Sequence, residues 1–424
     1  MIEKININNE YFINILYKLF ILFVIFNGLA LAIIKLLSLN IPASIFSYLA
    51  LVTLFIIIIN SLFKIPIKNY EKSIIFFGSF ILIGILLKMN FKESLTLQSI
   101  YIWISYYVIP FLTFLSLRAI NNYDKIIYFI SKVGFYVVIF AYLQLLFPAY
   151  LPIEFRLIPE AESTIIGVIR FQDFIFNTPN GLIGNAMIFG TFLIILFTLY
   201  LKQYFDDKSI WNICKVILTW ILIFFLFSRA AFLGSIIIFG IYMFTYTSKK
   251  KIFFYSLFIF IFSLFIIMIL YENNQFVQYM INRIIGIDEN AIQSTNIHIN
   301  EYIKVFDILE KYPFLGIQLG SDFDSRIITD GTWFQNLLDM GILLFGIYLL
   351  FWIYLFYFIL RRYFKRKKEN NISVIALSLI IYIGLANFLN SSYLAKTNSI
   401  LFMIMIGILF YSYHKTLENS RGNL

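Results

Sequence analysis

The chain has 424 residues, of which 61% are hydrophobic, 20% aromatic and only 13% charged, and its formal net charge is +10. A soluble protein of this length needs far more charge to cover its surface, so the composition argues against a soluble fold and favours an integral membrane protein. In a membrane protein, a positive net charge is typical of cytoplasmic loops that face anionic lipid, and we expect no nucleic-acid partner.

The sequence contains one cysteine, Cys214, and two histidines, His298 and His414. A single cysteine excludes an intramolecular disulfide, and so few nitrogen and sulfur ligands argue against a zinc-type site. We therefore predict that the protein holds no metal and no cofactor.

Apolar runs of about 20 residues, the length that crosses a bilayer, recur along the chain. They predict an all-α fold, a polytopic membrane helix bundle of about twelve transmembrane helices, in a single integral membrane domain over residues 1–424. The stretch 210–247 is divided at Ser228-Arg229, because an arginine at mid-bilayer costs roughly 2.5–3.5 kcal/mol. In chain order, the predicted spans are residues 11–35, 42–62, 73–89, 95–117, 126–147, 181–201, 210–227, 230–247, 252–270, 333–360, 372–390 and 397–413.

Lysine and arginine fall on alternate connections between these spans. By the positive-inside rule, the side that carries them is the cytoplasm, and both termini then lie in the cytoplasm. The basic residues concerned are Lys64, Lys68, Lys72, Arg118, Lys125, Lys202, Lys208, Lys249, Lys250, Lys251 and those between Arg361 and Lys368.

Two long connections, 148–180 and 271–332, fall on the opposite, extracytoplasmic side. Long ordered loops in a compact protein are commonly functional. In the larger loop an amphipathic helix is predicted at about 300–312, because apolar residues have the spacing i, i+3, i+4 and i+7 at Tyr302, Val305, Phe306 and Leu309. Pro313 ends this helix, and we expect its apolar face to rest on the membrane surface or on the bundle.

Arginine residues on the extracytoplasmic side are the candidate substrate ligands, because a guanidinium binds phosphate oxygens in a bidentate way. They are Arg156, Arg170, Arg229, Arg283 and Arg326. Acidic residues accompany them, and an acid can accept a proton from a substrate hydroxyl.

Arg229 lies between two predicted spans, and two interpretations stay open. It either extends to the outer membrane interface as a snorkelling side chain, or binds a phosphate in a cavity of the bundle. The small residues Ala230, Ala231 and Gly234 follow it and allow another helix or a lipid to approach closely.

Three segments resemble a known family, the O-antigen polymerase and O-antigen ligase superfamily. Leu226–Gly234, LFSRAAFLG, resembles its Ser-Arg helix start, and Tyr312–Gly316, YPFLG, resembles its hPllGxG segment. Asp330–Ile342, DGTWFQNLLDMGI, resembles its HNxyLxxlxexGilG segment, where the helix after the large loop begins. The motifs are short, and the resemblance extends over about residues 165–350, with agreement in order, spacing and topology.

The chain departs from the family pattern at three places. Gln318 replaces the second glycine of GxG, with Gly320 two places on, and Asp330 stands where ligases have histidine. An acid at that position resembles the polymerases and makes Asp330 the candidate base, although it is equally suited to cap the helix. The family arginine before the amphipathic helix has no match, and His298 near that place is a second catalytic candidate or an exposed loop residue.

The resemblance implies a GT-C-like protein of the bacterial cytoplasmic membrane. The implied reaction is an inverting, metal-independent glycosyl transfer, in which one undecaprenyl-diphosphate-linked oligosaccharide is added to another. The products are O-antigen, capsular polysaccharide or exopolysaccharide, and the implied partners are membrane lipid, a chain-length regulator and a flippase.

Several alternative functions stay open at this point. An O-antigen ligase shares the motifs, and a lipid-linked oligosaccharide flippase or transporter shares the architecture. Transporters usually carry ionisable residues near mid-membrane, whereas here charge is concentrated in the outer loops. A peptidoglycan glycosyltransferase of the shape-and-division type, and a structural or sensory membrane protein, are the remaining classes.

Overall fold

The computed structural model describes most of the helical part of the chain. The described residues are 2–39, 45–64, 67–89, 104–120, 122–147, 150–152, 155, 168–171, 174–177, 181, 183, 186–226, 228–247, 278, 282, 289–314, 316, 331–365, 371–389 and 396–422.

Thirteen α-helices are present in the described part of the chain. They are α1 Ile2–Ile25, α2 Asn27–Leu36, α3 Ile45–Lys64, α4 Asn69–Met89, α5 Ile109–Ser116, α6 Tyr123–Leu146, α7 Ala186–Asp206, α8 Ile210–Phe225, α9 Arg229–Tyr246, α10 Glu289–Lys311, α11 Thr332–Lys365, α12 Asn371–Leu389 and α13 Lys396–Gly422. A π-helical turn, Ile104–Val108, precedes α5, and a 3-10 turn, Leu117–Ala119, follows it.

The apolar character of these helices identifies a membrane protein. Five described helices are long and apolar enough to cross a bilayer, and a sixth span results if α1 and α2, which meet at a bend of 61°, are counted together. Four further helices are apolar but shorter. The predicted span 252–270 and the first part of 95–117 lie outside the described residues, so a total of twelve spans stays a prediction.

The predicted all-α fold is confirmed for the described residues apart from one β-hairpin. Strand β1, Val168–Phe171, pairs antiparallel with β2, Phe174–Asn177, in a register that places Arg170 opposite Ile175. Both strands are rich in β-branched and aromatic residues, and only two residues separate them, which is the commonest length of a hairpin connection. The hairpin lies within the loop predicted at 148–180.

The centre of the bundle is formed by α7 and α13. In the most apolar 18-residue stretch of each of these two helices, 72% and 78% of the residues are buried inside the protein, whereas in α9 the share is 28%. Close helix packing here depends on small residues, for example Gly134 of α6, where an added Cβ would overlap the Leu196 side chain. The exposed apolar residues of the outer helices form the surface that faces lipid.

The bundle has two ends, which we name after an arginine at each. At the Arg229 end, α9, α11 and α13 begin and α6 and α12 end. At the Arg118 end, the guanidinium Nε of Arg118 lies 3.3 Å from Oε1 of Glu71, and both side chains are almost fully buried. The Arg118 end also carries many of the described basic residues, including Lys125, Lys208, Arg361 and Arg362.

Candidate functional site

Helix α11 is folded back on itself at Gly341. This glycine has φ 68° and ψ 175°, a conformation outside the helical region. The Trp333 ring centroid lies 6.4, 6.3 and 5.5 Å from those of Phe345, Tyr348 and Trp352. In a straight helix these residues would be roughly 18, 22 and 28 Å from Trp333 at 1.5 Å per residue. The predicted span 333–360 is therefore interrupted at Gly341: Thr332–Met340 is a separate short helix packed beside the longer apolar helix that follows it.

The segment after α10 holds this fold-back in place. The Ile342 backbone N–H, which loses its helical acceptor at the break, donates to the Pro313 carbonyl oxygen at 2.9 Å. Gly316 has φ 66°, and an added Cβ there would overlap the Leu338 carbonyl oxygen and lie 2.6 Å from the Gly341 nitrogen. Gly316 thus lies directly against Gly341, and Pro313 is bonded to the next residue, Ile342.

The folded-back segment Thr332–Met340 carries a buried set of polar side chains. The Asn336 amide oxygen accepts a hydrogen bond of 2.6 Å from the Tyr107 hydroxyl, and Gln335 donates to Asp339 at 2.9 Å. Trp333 Nε1 donates to the Gly384 carbonyl oxygen at 3.0 Å, which attaches the segment to α12. The buried polar residues are Thr332, Gln335, Asn336 and Asp339.

Helix α10 covers this segment from the other side. Val305 and Leu309 are buried against Leu338, and the Tyr302 ring stacks on Phe334 with centroids 4.0 Å apart. The Tyr302 hydroxyl donates to the Phe388 carbonyl oxygen of α12. Of the four residues predicted to share its apolar face, Phe306 is the least covered: its ring lies edge-on to Phe334, with centroids 6.2 Å apart, and it is 54% exposed.

The end of α12 adds an amide with unusual surroundings. Asn387 is fully buried, and neither its Nδ2 nor its Oδ1 has a hydrogen-bond partner within the described part of the chain. On the same helix, the hydroxyl of Tyr382 forms a hydrogen bond of 3.0 Å with the hydroxyl of Thr191 on α7. Tyr382 is two residues before Gly384, whose carbonyl oxygen accepts from Trp333. Buried polar groups without partners are uncommon and tend to occur at functional positions.

We expect Asn387→Leu to increase thermal stability by about 1–3 kcal/mol, because it removes an unsatisfied buried amide and fills nearly the same volume. Thermal unfolding in detergent measures the change. Ser378→Ala, which removes an unsatisfied buried hydroxyl of the same helix, is the matched control and should give a smaller gain. A loss of stability in Asn387→Leu would show that the amide has a partner, such as a bound water.

Arg229 is the first residue of α9 and is half-buried. Ser228 caps the helix by accepting a hydrogen bond from the Ala231 N–H. The small residues that follow admit neighbouring helices, since Gly190 of α7 lies against Ala231, and an added Cβ at Gly234 would overlap the Tyr382 ring of α12. Among the residues that the structure describes, no carboxylate forms an ion pair with Arg229.

Gln144, at the end of α6, anchors the loop that carries Arg156 and Arg170. Its amide nitrogen donates to the Phe155 carbonyl oxygen at 2.7 Å, and its side-chain oxygen accepts from the Gly181 N–H at 2.8 Å. One buried side chain at the Arg229 end is therefore bonded both to Phe155, near the start of the loop, and to Gly181, just after its end.

Of the remaining predicted site residues, two lie within the described part of the chain and four do not. Arg170 is in β1, and His298 lies within α10 and not in a loop. The other four fall outside the described residues: Asp330, Arg156, Arg283 and Arg326.

The sequence prediction missed several polar residues of this region. Gln335, Asn336 and Asp339 were absorbed into a single apolar span, although a carboxylate inside an apolar run is itself a signal of function. Asn387 was hidden in the same way within the span predicted at 372–390. In the described part of the chain, no group of three or more His, Cys, Asp and Glu side chains is placed to hold a metal ion.

Comparison with models of known protein families gives no match, and neither does comparison with the sequences of curated proteins.

Proposed function

We propose that the protein polymerises undecaprenyl-diphosphate-linked oligosaccharide repeat units into O-antigen, capsular polysaccharide or exopolysaccharide. In this proposal the chain is a GT-C-like bundle of about twelve spans in the bacterial cytoplasmic membrane. Its termini are cytoplasmic, and the Arg229 end faces outward.

One observation carries the proposal: the three segments that resemble the polymerase and ligase superfamily lie together at the Arg229 end. Gly234 of the first packs on Tyr382 of α12, and Trp333 of the third donates to Gly384, two residues further along α12. The second segment contacts the third through Pro313 and Gly316. Residues far apart in sequence thus surround one end of one helix.

The chemistry assigned to this region needs a base and a cation. A carboxylate takes the proton of the acceptor hydroxyl, whose oxygen attacks the anomeric carbon of the donor, and the bond from that carbon to the diphosphate breaks with inversion. The leaving undecaprenyl diphosphate gains negative charge, which the half-buried guanidinium of Arg229 stabilises. Asp330 is the base in this proposal, and Asp339, buried beside Gln335, is the alternative carboxylate.

We expect that Arg229→Ala and Asp330→Ala each abolish long-chain surface polysaccharide while the protein still inserts in the membrane. Gel separation of surface and lipid-linked glycans from cells that carry each variant measures this. Arg229→Lys should restore little, because lysine lacks the bidentate geometry for phosphate. Lys208→Ala and Asp207→Ala remove exposed charges at the Arg118 end and serve as matched controls. Unchanged chain length in both Arg229→Ala and Asp330→Ala would refute these roles.

Deletion of the gene separates the competing functions. Loss of polymer with single repeat units retained on lipid A or undecaprenyl diphosphate supports a polymerase. Polymer that accumulates on undecaprenyl diphosphate without transfer indicates a ligase. Loss of every outer glycan, with single repeats retained inside, indicates a flippase.

A further inference from the structure

Helix α10 has a second, largely exposed apolar stripe, which meets the described part of the bundle where the Phe306 ring lies edge-on to Phe334 with centroids 6.2 Å apart. Ile299, Ile303 and Phe306 have the spacing i, i+4 and i+7, and they are 49%, 54% and 54% exposed. At about 100° per residue they fall within an arc of roughly 60°, separate from the face formed by Val305 and Leu309. The helix therefore presents apolar side chains in two directions, and among the residues that the structure describes only the set of Val305 and Leu309 is buried.

Three exposed charged residues of α10 occupy a third side, whereas Glu310, next to the last residue of the helix, lies on the same arc as the apolar stripe. Lys304, Asp307 and Lys311 are all exposed, and the helical period places them together on an arc of about 60° that contains none of the apolar residues. A helix with a packed face, an exposed apolar face and a charged face is suited to a boundary between protein, hydrocarbon and water.

Helix α10 is attached to two helices of the membrane bundle. The Tyr302 hydroxyl, in the middle of α10, donates to the carbonyl oxygen of Phe388, and Phe388 is itself exposed on α12, as is Leu385 one turn nearer the core. Just beyond the end of α10, the Pro313 carbonyl oxygen accepts from the N–H of Ile342, whose side chain is exposed on α11. The stripe is thus continuous with surfaces that face lipid on two membrane helices.

We propose that the stripe Ile299, Ile303 and Phe306 is embedded in the acyl chains of the leaflet at the Arg229 end. Helix α10 then lies in the membrane interface, with the charged side toward water and Val305 and Leu309 on the folded-back segment of α11. Tyr312 and Phe314, both exposed just beyond the helix, extend the same contact. The proposal does not depend on the glycosyl-transfer chemistry, because it needs only the helix and the bilayer.

Fluorescence quenching in vesicles tests this placement on the full-length chain. The native cysteine is removed by Cys214→Ser, and Ile303→Cys is labelled with a bimane fluorophore. The protein is placed in vesicles of phosphatidylethanolamine and phosphatidylglycerol. One set of vesicles contains lipid with a nitroxide on the acyl chain, and another contains iodide on both sides of the membrane. Lys304→Cys, one residue away on the charged side, is the matched control, and Ile299→Cys is a second test position.

We expect the labels at positions 303 and 299 to lose fluorescence with the nitroxide lipid and to keep it with iodide, and the label at 304 to do the reverse. Iodide quenching of positions 303 and 299 to the same extent as position 304 would show that the stripe faces water. Protection from both quenchers would show that protein covers the stripe, such as a second copy of the chain. Either result overturns the proposal.

Discussion

Gly316→Ala is expected to destabilise the protein by about 2–5 kcal/mol. A left-handed backbone costs roughly 1–2 kcal/mol for a residue with a Cβ. The Cβ would also overlap the Leu338 carbonyl oxygen, and such overpacking costs roughly 1–3 kcal/mol. Because Gly316 lies against the break at Gly341, the substitution should separate the segment after α10 from α11.

Thermal unfolding of the purified protein in detergent measures this loss. Gly341→Ala should also be destabilising, by about 1–3 kcal/mol, since φ 68° and ψ 175° is a region that is essentially restricted to glycine. Gly346→Ala is the matched control on the same helix, because nothing lies within 4 Å of the added Cβ. It should be neutral or stabilising by about 0.5–1 kcal/mol through helix propensity. Equal stability in Gly316→Ala and Gly346→Ala would contradict the contact.

Arg118→Ala is the second substitution with a large expected effect, a loss of about 3–5 kcal/mol. Arg118 and Glu71 have side-chain exposures of only 3% and 2%, so removal of the guanidinium leaves a buried carboxylate without its ion-pair partner. Glu71 Oε2 also accepts a hydrogen bond of 2.7 Å from the Lys68 N–H, which fixes the carboxylate at the start of α4.

The double variant Arg118→Ala with Glu71→Gln distinguishes the loss of a partner from the loss of packing, because the packing loss at position 118 is the same in both variants. Glutamine keeps an acceptor for the Lys68 N–H and carries no charge, so the double variant should recover most of the stability lost in Arg118→Ala. Midpoints of thermal unfolding for the single and double variants give the coupling between the two residues. A double variant no more stable than Arg118→Ala would mean that packing, and not charge, accounts for the loss.

Apolar run length predicted the positions of most described helices, because a bilayer requires a long uninterrupted apolar segment. The predicted spans 126–147 and 230–247 correspond closely to α6, Tyr123–Leu146, and α9, Arg229–Tyr246. The break between α8 and α9 falls at Ser228. It was predicted there because Arg229 in the middle of one long span would be costly.

Features that depend on tertiary contacts could not be predicted in this way. Gly341 and Gly346 are both glycines in one apolar run, and only the contacts of Pro313 and Gly316 select Gly341 for the break. Hydropathy is an average, so it concealed the polar residues between Thr332 and Asp339. The β-hairpin was missed because its strands are short and lie in a loop judged by length alone.

Three segments of the sequence resemble motifs of a known family, and the structure shows how some of their residues pack. Pro313, Gly316 and Gly341 have a demonstrable packing role, while Asp330, which the motif makes the candidate base, lies outside the described residues. Mutation of the first three therefore reports on folding, and mutation of Asp330 and Arg229 reports on the proposed chemistry.

The fold-back of α11 determines how the protein fits its membrane. As one straight helix, the 34 residues of α11 would be about 51 Å long, far more than the roughly 30 Å of hydrocarbon. Such a helix would suffer hydrophobic mismatch and would have to tilt strongly or thicken the bilayer around it. The turn at Gly341 leaves an apolar part that ends before Arg361 and is about 28 Å long, so it matches a bilayer of ordinary thickness with only slight tilt.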